Sequence, residues 1–314
     1  MLKLSSHIHF LMLACFHLAS SAKQDSGRTP CKYGELKGEF RDKTWHLHTQ
    51  PSSSCRLNEI ISRREGPKKI GSCKRQSSVL AIGDSVDRDA IQRACNHFGA
   101  EFKPYVKLTT KLRGKNSYNF CHIPELNVTL GQFMNFGVFK EPYWKFAYPI
   151  PSEFHVDNVE HIRLDAANFS KLLPDGQPTI VIVQSYLWDL AREWMVRGKL
   201  KRYWQPEPGF VHQWFARVKK LLAVVKDTFP SSKVMWRTAP PPKEGEDGRN
   251  NRIIHSMNEI MRSYASHAGL EIIDYGSMLQ GMSPEKSFAT HPGIDASLAY
   301  MNVLLNCLFE LCGT

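Results

Sequence analysis

Residues 78–99, SVLAIGDSVDRDAIQRACNHFG, constrain the fold more than any other stretch of the chain. Val79, Leu80, Ala81 and Ile82 form a continuous apolar run, the pattern of a strand buried on both faces of a parallel sheet. Gly83 ends the run and Asp84-Ser85 follow. Ile91, Ala94, Cys95 and Phe98 then recur at helical spacing, and Gly99 stands where a helix C-terminus favours glycine. Ser85 therefore sits between the carboxyl end of a strand and the amino end of a helix. In open α/β sheets that is where ligands bind. A hydroxyl there is exposed, and free N–H groups of the first helical turn face any developing negative charge. Two readings of Ser85 stand at this point: a helix N-cap, or a nucleophile.

The same alternation continues along the chain. Residues 179–185 (TIVIVQS), 233–237 (KVMWR) and 270–274 (LEIID) read as strands, and the fainter alternation of 153–164 as a further one. Between them, residues 210–229 place Phe210, Trp214, Val218, Leu221, Leu222 and Val225 on one helical face before Pro230. Residues 250–267 and 296–311 are the next helices. Strands alternating with helices predict an α/β fold: a doubly wound, mostly parallel sheet with helices on both faces. The functional edge then collects the strand carboxyl ends. At 314 residues, 42% hydrophobic and 23% charged, the chain can bury a full core.

Three parts are expected: a leader at 1–22, a Cys-rich arm at 23–74 and the α/β domain at 75–314. The leader has Lys3, an apolar stretch and Ser20-Ser21-Ala22, as in a secretory signal; an uncleaved anchor is the other reading. No other segment reads as a membrane span. Seven cysteines follow residue 22 and imply disulfides in an oxidising compartment, with no CxxC pair to suggest a metal site. Asn127-Val128-Thr129 and Asn168-Phe169-Ser170 are N-glycosylation sequons. Of the net charge of +11, much lies in two clusters: Arg63, Arg64, Lys68, Lys69, Lys74 and Arg75, then Arg197, Lys199, Lys201 and Arg202. Such clusters read first as a solvated face; the sharper reading is attraction to an acidic partner, which in a secretory setting is an anionic glycan or membrane surface rather than nucleic acid.

A serine nucleophile needs a base. Among 13 histidines, His291 is distinguished by position: it lies in Ala289-Thr290-His291-Pro292-Gly293, between the last strand and the last helix. That loop opens on the same sheet edge as Ser85. Residues distant in sequence can meet there.

Gly83-Asp84-Ser85 early in the α/β region, with His291-Pro292 before the last helix, resembles the SGNH (GDSL-type) hydrolase superfamily. The chain is most similar to its PC-esterase and trichome-birefringence-like branch. Gly83-Asp84-Ser85-Val86-Asp87-Arg88 matches that branch's GDSxxR form, and Arg237-Thr238-Ala239-Pro240 its later Arg-Thr strand end. Upstream, Cys31, Gly38-Glu39-Phe40, Asp42, Trp45 and Ser54-Cys55-Arg56-Leu57 resemble the branch's Cys-rich arm. The resemblance implies that Ser85 accepts the acyl group and His291 is its base, with no cofactor and no metal. It implies that N–H groups of Ser85 and Gly137 (Gly131 being the rival) hold the oxyanion. It also implies that Asp84, Arg88, Asp189 and Arg237 line the substrate site.

Two positions depart from the family. The acid expected three residues before the histidine is Phe288, and Trp188 in Tyr186-Leu187-Trp188-Asp189 replaces the oxyanion asparagine, offering an indole N–H. Asp274, Glu285, Asp295 or a backbone carbonyl are the alternatives for the missing acid. The resemblance implies a lumenal or secreted serine-dependent acyl-esterase or O-acyltransferase, in the Golgi lumen or outside the cell, acting on glycan O-acyl groups, above all acetyl. The alternative is a catalytically impaired glycan-binding protein of the same fold.

Overall fold

The computed structural model describes residues 31–41, 44–47, 57–61, 72–106, 118–140, 159–163, 167–196, 206–240, 251–279 and 291–312. The leader, Glu285, Phe288 and all basic-cluster residues except Lys74 and Arg75 lie outside them. Strands β1 (Gly38–Arg41) and β2 (Thr44–Leu47) form an antiparallel hairpin. The main sheet has seven strands in the order β4-β5-β6-β3-β7-β8-β9. These are β3 (Ser77–Gly83), β4 (Lys103–Val106), β5 (Tyr118–Ile123), β6 (Val128–Met134), β7 (Ile180–Val183), β8 (Lys233–Arg237) and β9 (Glu271–Ile273). From β6 to β9 neighbouring strands are parallel, whereas β4 and β5 add an antiparallel edge. Numbered by appearance, the parallel strands lie 2-1-3-4-5, a doubly wound order whose switch point falls between β3 and β7.

The helices are α1 (Ser85–His97), α2 (Ala167–Ser170), α3 (Leu187–Val196), α4 (Phe210–Thr228), α5 (Asn251–Ala268), α6 (Tyr275–Leu279) and α7 (Ile294–Cys312). Most expected elements are present within a few residues. Gly99 follows α1 at φ +66°, and Gly269 follows α5 at φ +60°, the left-handed conformation that suits glycine. One expectation fails in its described part: Val159–Arg163 is turn and helix, not strand. The β5–β6 pair was not foreseen. Every residue of β6 is buried, yet Thr129, Gly131 and Gln132 interrupt its apolar run. Gly131 is there because the Phe169 ring occupies the place of a side chain: a Cβ would lie 2.1 Å from it.

The described residues before β3 pack on the same core as the sheet. Cys31, Tyr33, Leu36, Ile60 and Ile61 join the single core of the domain. Asn302 and Asn306 of α7 hold the 58–61 backbone: Asn58 N donates to Asn306 Oδ1 at 2.7 Å, and Ile60 N and Ile61 N donate to Asn302 Oδ1 at 2.8 and 3.0 Å. Helix α7 is long and apolar enough to cross a membrane, but two thirds of that apolar window (67%) is buried in this domain. Two disulfides lie among the described residues. Cys73–Cys312 ties the segment before β3 to the end of α7, and Cys95–Cys121 ties α1 to β5. Cys31 is also disulfide-bonded, while Cys307 is a buried free thiol.

The Cys95–Cys121 bridge spans 26 residues. Its removal by paired alanine substitutions is expected to lower stability by about 3–4 kcal/mol, through the loop entropy returned to the unfolded chain. Urea unfolding followed by fluorescence measures this; a loss under about 1 kcal/mol contradicts it.

Candidate functional site

The site begins with the first turn of α1. Asp84 is its N-cap, accepting from Val86 N at 2.9 Å, so Ser85 is the first helical residue and not the cap. Ser85 N–H consequently has no partner within the helix and lies at the positive end of the helix dipole. Helical periodicity then sorts the turn into two faces. Asp87 points inward and is fully buried; Ser85, Arg88 and Asp89 remain partly accessible.

Inward, Asp87 meets Arg237 from the end of β8. Arg237 Nε donates to Asp87 Oδ1 at 2.7 Å and Nη2 to Oδ2 at 2.8 Å, a two-pronged ion pair with both side chains at most 1% exposed. Gln184 Nε2 donates to Asp87 Oδ2 at 3.0 Å, and Asp84 lies 3.7 Å from Arg237 Nη2. The guanidinium also faces the Tyr275 and Tyr300 rings, 5.7 and 6.0 Å from their centroids. Burial works against the Arg237 charge, but Asp87 and Asp84 outweigh it and raise its pKa. Burial pushes Asp84 above its ordinary value, although Arg237 opposes the shift. Gly83 is required by this arrangement for space: a Cβ there would lie 1.9 Å from Asp87 Oδ2.

Outward, residues one turn apart on α1 engage the loop that leads into α7. Ser85 Oγ lies 2.8 Å from His291 Nε2. Asp89 Oδ2 lies 2.7 Å from His291 Nδ1. Arg93 Nη1 donates to Pro292 O at 2.5 Å and to Ser297 Oγ at 2.6 Å. Ser85, Asp89 and Arg93 thus form an i, i+4, i+8 stripe that holds one imidazole at both nitrogens and secures the backbone beside it. Burial raises the Asp89 carboxyl, but hydrogen bonds from His291 and Arg88 more than offset this and leave it below its usual value. The carboxylate therefore stays ionised across the range in which an imidazole titrates.

Ser85 and His291 meet as expected, and the carboxylate at His291 Nδ1 is that of Asp89, which is not among the candidates named from the sequence. Asp274, one of the alternatives, is committed elsewhere: it accepts from Thr238 Oγ1 at 2.7 Å, Arg262 Nε at 2.8 Å and Ser277 Oγ at 2.8 Å. Asp295 lies in the first turn of α7, and His291 Nδ1 is met by Asp89 instead. The signal for Asp89 was present in the sequence, one helical turn after the serine.

The remaining expected site residues separate by burial. Asp84, Asp189 and Arg237 are buried and bonded to protein groups rather than open to a substrate. Asp189 accepts from Val138 N at 2.8 Å and Ser185 Oγ at 2.6 Å, and burial pushes its carboxyl up to about 6. Arg88 is bonded to Asp89. Gly131 is interior to β6, so the glycine at the sheet edge is Gly137. Gly137 has φ +106°, and a Cβ would lie 2.5 Å from Asp189 Oδ1. Its N–H donates to Asn135 Oδ1 at 3.2 Å. Trp188, in the first turn of α3, packs edge-on against Phe136 with centroids 5.4 Å apart. Among the described residues, no His, Cys, Asp and Glu cluster could hold a metal.

No family model matches the sequence, and no curated protein matches it. Several solved structures resemble it in fold. A GDSL-like lipase from Bacteroides thetaiotaomicron is 13% identical with a TM-score of 0.44, covering 75% of this chain and 88% of that one. A carbohydrate esterase family 2 enzyme from Corynascus thermopiles (Myceliophthora fergusii) is 14% identical with a TM-score of 0.43, covering 78% and 68%. Axe2, an acetylxylan esterase from Geobacillus stearothermophilus, is 12% identical with a TM-score of 0.40, covering 78% and 97%.

Truncating Asp87 to alanine leaves the Arg237 charge buried without its main partner. That is expected to cost about 3–5 kcal/mol. An Asp87→Ala/Arg237→Met protein should recover much of the loss, as read by denaturant midpoints. A double variant as unstable as the sum of the two singles contradicts the pairing.

Proposed function

We propose that this protein is a serine esterase or acyltransferase whose nucleophile is Ser85, base His291 and acid Asp89. The observation that carries the reading is the continuous chain from Ser85 Oγ through both nitrogens of His291 to Asp89. The roles follow from the chemistry of each group. A serine hydroxyl is a poor nucleophile until a neighbouring base removes its proton. In the proposed reaction Ser85 Oγ attacks the acyl carbonyl carbon while its proton passes to His291 Nε2. The carbonyl oxygen becomes an oxyanion near the Ser85 N–H at the amino end of α1. The intermediate collapses to acyl-serine, the carbon–oxygen bond to the leaving alkoxide breaks, and His291 returns the proton to that alkoxide. Water or a second hydroxyl then attacks acyl-serine by the same route, with the imidazole taking its proton. Asp89 keeps the hydrogen of the neutral imidazole on Nδ1, so that Nε2 is the basic nitrogen, and it stabilises the imidazolium. The Trp188 indole N–H is proposed as a further donor at the oxyanion; Gly137 N–H is bonded to Asn135 Oδ1 and serves there only if an oxyanion displaces that acceptor.

The substrate proposed is an acyl ester, above all acetyl, carried by a carbohydrate. The GDSxxR and Arg-Thr motifs support this, as does the Phe136–Trp188 aromatic pair beside the strand ends. The secretory pathway is proposed as the setting, the Golgi lumen or the cell exterior, in line with the disulfides and the leader-like amino terminus. An attraction to anionic glycans through the basic clusters remains part of the proposal. The alternative, an inactive glycan-binding protein, rests on the absence of an acid at Phe288. Asp89 at His291 Nδ1 removes that basis.

Turnover of a small acetyl ester should be measurable and abolished by Ser85→Ala. Asp89→Asn is expected to lower it by about four orders of magnitude while leaving residual activity. Phe288→Asp is expected to give no gain, because the Nδ1 hydrogen is already donated to Asp89. Turnover that survives Ser85→Ala contradicts the proposal.

A further inference from the structure

Two arginines were expected at the substrate, and both are found on carboxylates. Arg237 belongs to the buried pair with Asp87. Arg88 is accessible enough to meet a ligand, with 14% of its side chain exposed, yet it turns back along its own helix. Its Nε donates to Asp89 Oδ1 at 2.9 Å and its Nη2 donates to the same oxygen at 2.7 Å. The other oxygen, Oδ2, is the one that receives His291 Nδ1–H.

A carboxylate on a helix surface has free rotation about its terminal bond. Only two orientations, equivalent and half a turn apart, present an oxygen to the imidazole. A guanidinium that clamps Oδ1 from two donors fixes the plane of the carboxylate and so fixes where Oδ2 points. The cation also shares the negative charge of Asp89, which sets how strongly that charge supports an imidazolium.

We infer that Arg88 is a positioning residue for the proposed esterase, acting through Asp89 on His291, and not a binder of substrate. The inference rests on the Ser85–His291–Asp89 reading. It assigns a role to the arginine of the GDSxxR sequence in this chain: the segment from Ser85 to Asp89 carries nucleophile, clamp and acid in five consecutive positions. Lysine is not an equivalent, since an ammonium cannot present two fixed donors to one oxygen.

The test uses a fluorophosphonate, which labels Ser85 without relying on any natural acyl acceptor, together with steady-state turnover of p-nitrophenyl acetate. Arg88→Gln is expected to slow labelling and lower kcat by about 10–100-fold, the range for groups that orient a histidine from one step back, with KM changed less than about twofold. Arg88→Lys should fall between Arg88→Gln and the parent. In an Asp89→Asn background, Arg88→Gln should change the labelling rate by less than about twofold, because the group it acts through is gone. Thermal melting confirms folding, and Arg88→Lys, which keeps the charge and the aliphatic stem, carries the test if Arg88→Gln does not fold. A raised KM with an unchanged labelling rate overturns the inference in favour of substrate binding. An equal loss in both backgrounds overturns it too, showing that Arg88 acts independently of Asp89. A parent protein that takes no label at Ser85 overturns the esterase reading and this inference with it.

Discussion

The buried ion pair between Asp87 and Arg237 is the interaction on which the rest of the site depends. It joins the first turn of α1 to the end of β8, with Gln184 from beyond β7 as a third member. Charges this deep are costly to desolvate, and the pair is retained only because two parallel hydrogen bonds and a further amide offset that cost. The pair therefore contributes less to net stability than to placement: breaking it is expensive, and α1 has one way to sit over the sheet. Gly83 shows the same demand from the other side, since any side chain there would occupy the Asp87 carboxylate.

With α1 fixed, the outer face of the same turn is fixed. Asp87 and Asp89 are two residues apart and so point in different directions, one into the core and one toward the 291–297 loop. Their partners differ accordingly. Asp87 meets a guanidinium fully out of water, and Asp89 meets an imidazole and a guanidinium near the surface. Ser85, Asp89 and Arg93 recur at one-turn intervals, so a single helix supplies the hydroxyl and the carboxylate at the two imidazole nitrogens and the anchor of the loop. The two disulfides placed among the described residues brace this geometry, one fastening α1 to β5 and the other Cys73 to the end of α7.

Much of this was legible in the chain. The apolar runs of β3, β7 and β8 and the helical stripes of α4 and α5 announced a doubly wound sheet, because buried parallel strands and amphipathic helices have distinct periods. Ser85 and His291 could be paired because both follow strand ends in such a sheet. The β5–β6 pair was less visible, since burial against Phe169 and α1 tolerates Gly131 and Gln132 where a propensity pattern expects branched residues. Asp89 is harder to read, because the family pattern points to the residue three before the histidine and here that residue is Phe288. Yet the helical repeat alone places Asp89 beside Ser85. Arg88 and Arg237 were read as facing a substrate, and only the packed structure reveals the carboxylates that claim them.

The central claim is that Asp89 serves as the acid of this site. It is tested most directly by proton NMR of the exchange-protected imidazole N–H of His291. A strong Nδ1–H···O⁻ bond moves that proton far downfield of ordinary amides. The account predicts one such resonance in the parent protein, absent in His291→Gln, retained in Ser85→Ala, and lost or shifted far upfield in Asp89→Asn. A downfield resonance that persists unchanged in folded Asp89→Asn would contradict the account and place the hydrogen bond on another group.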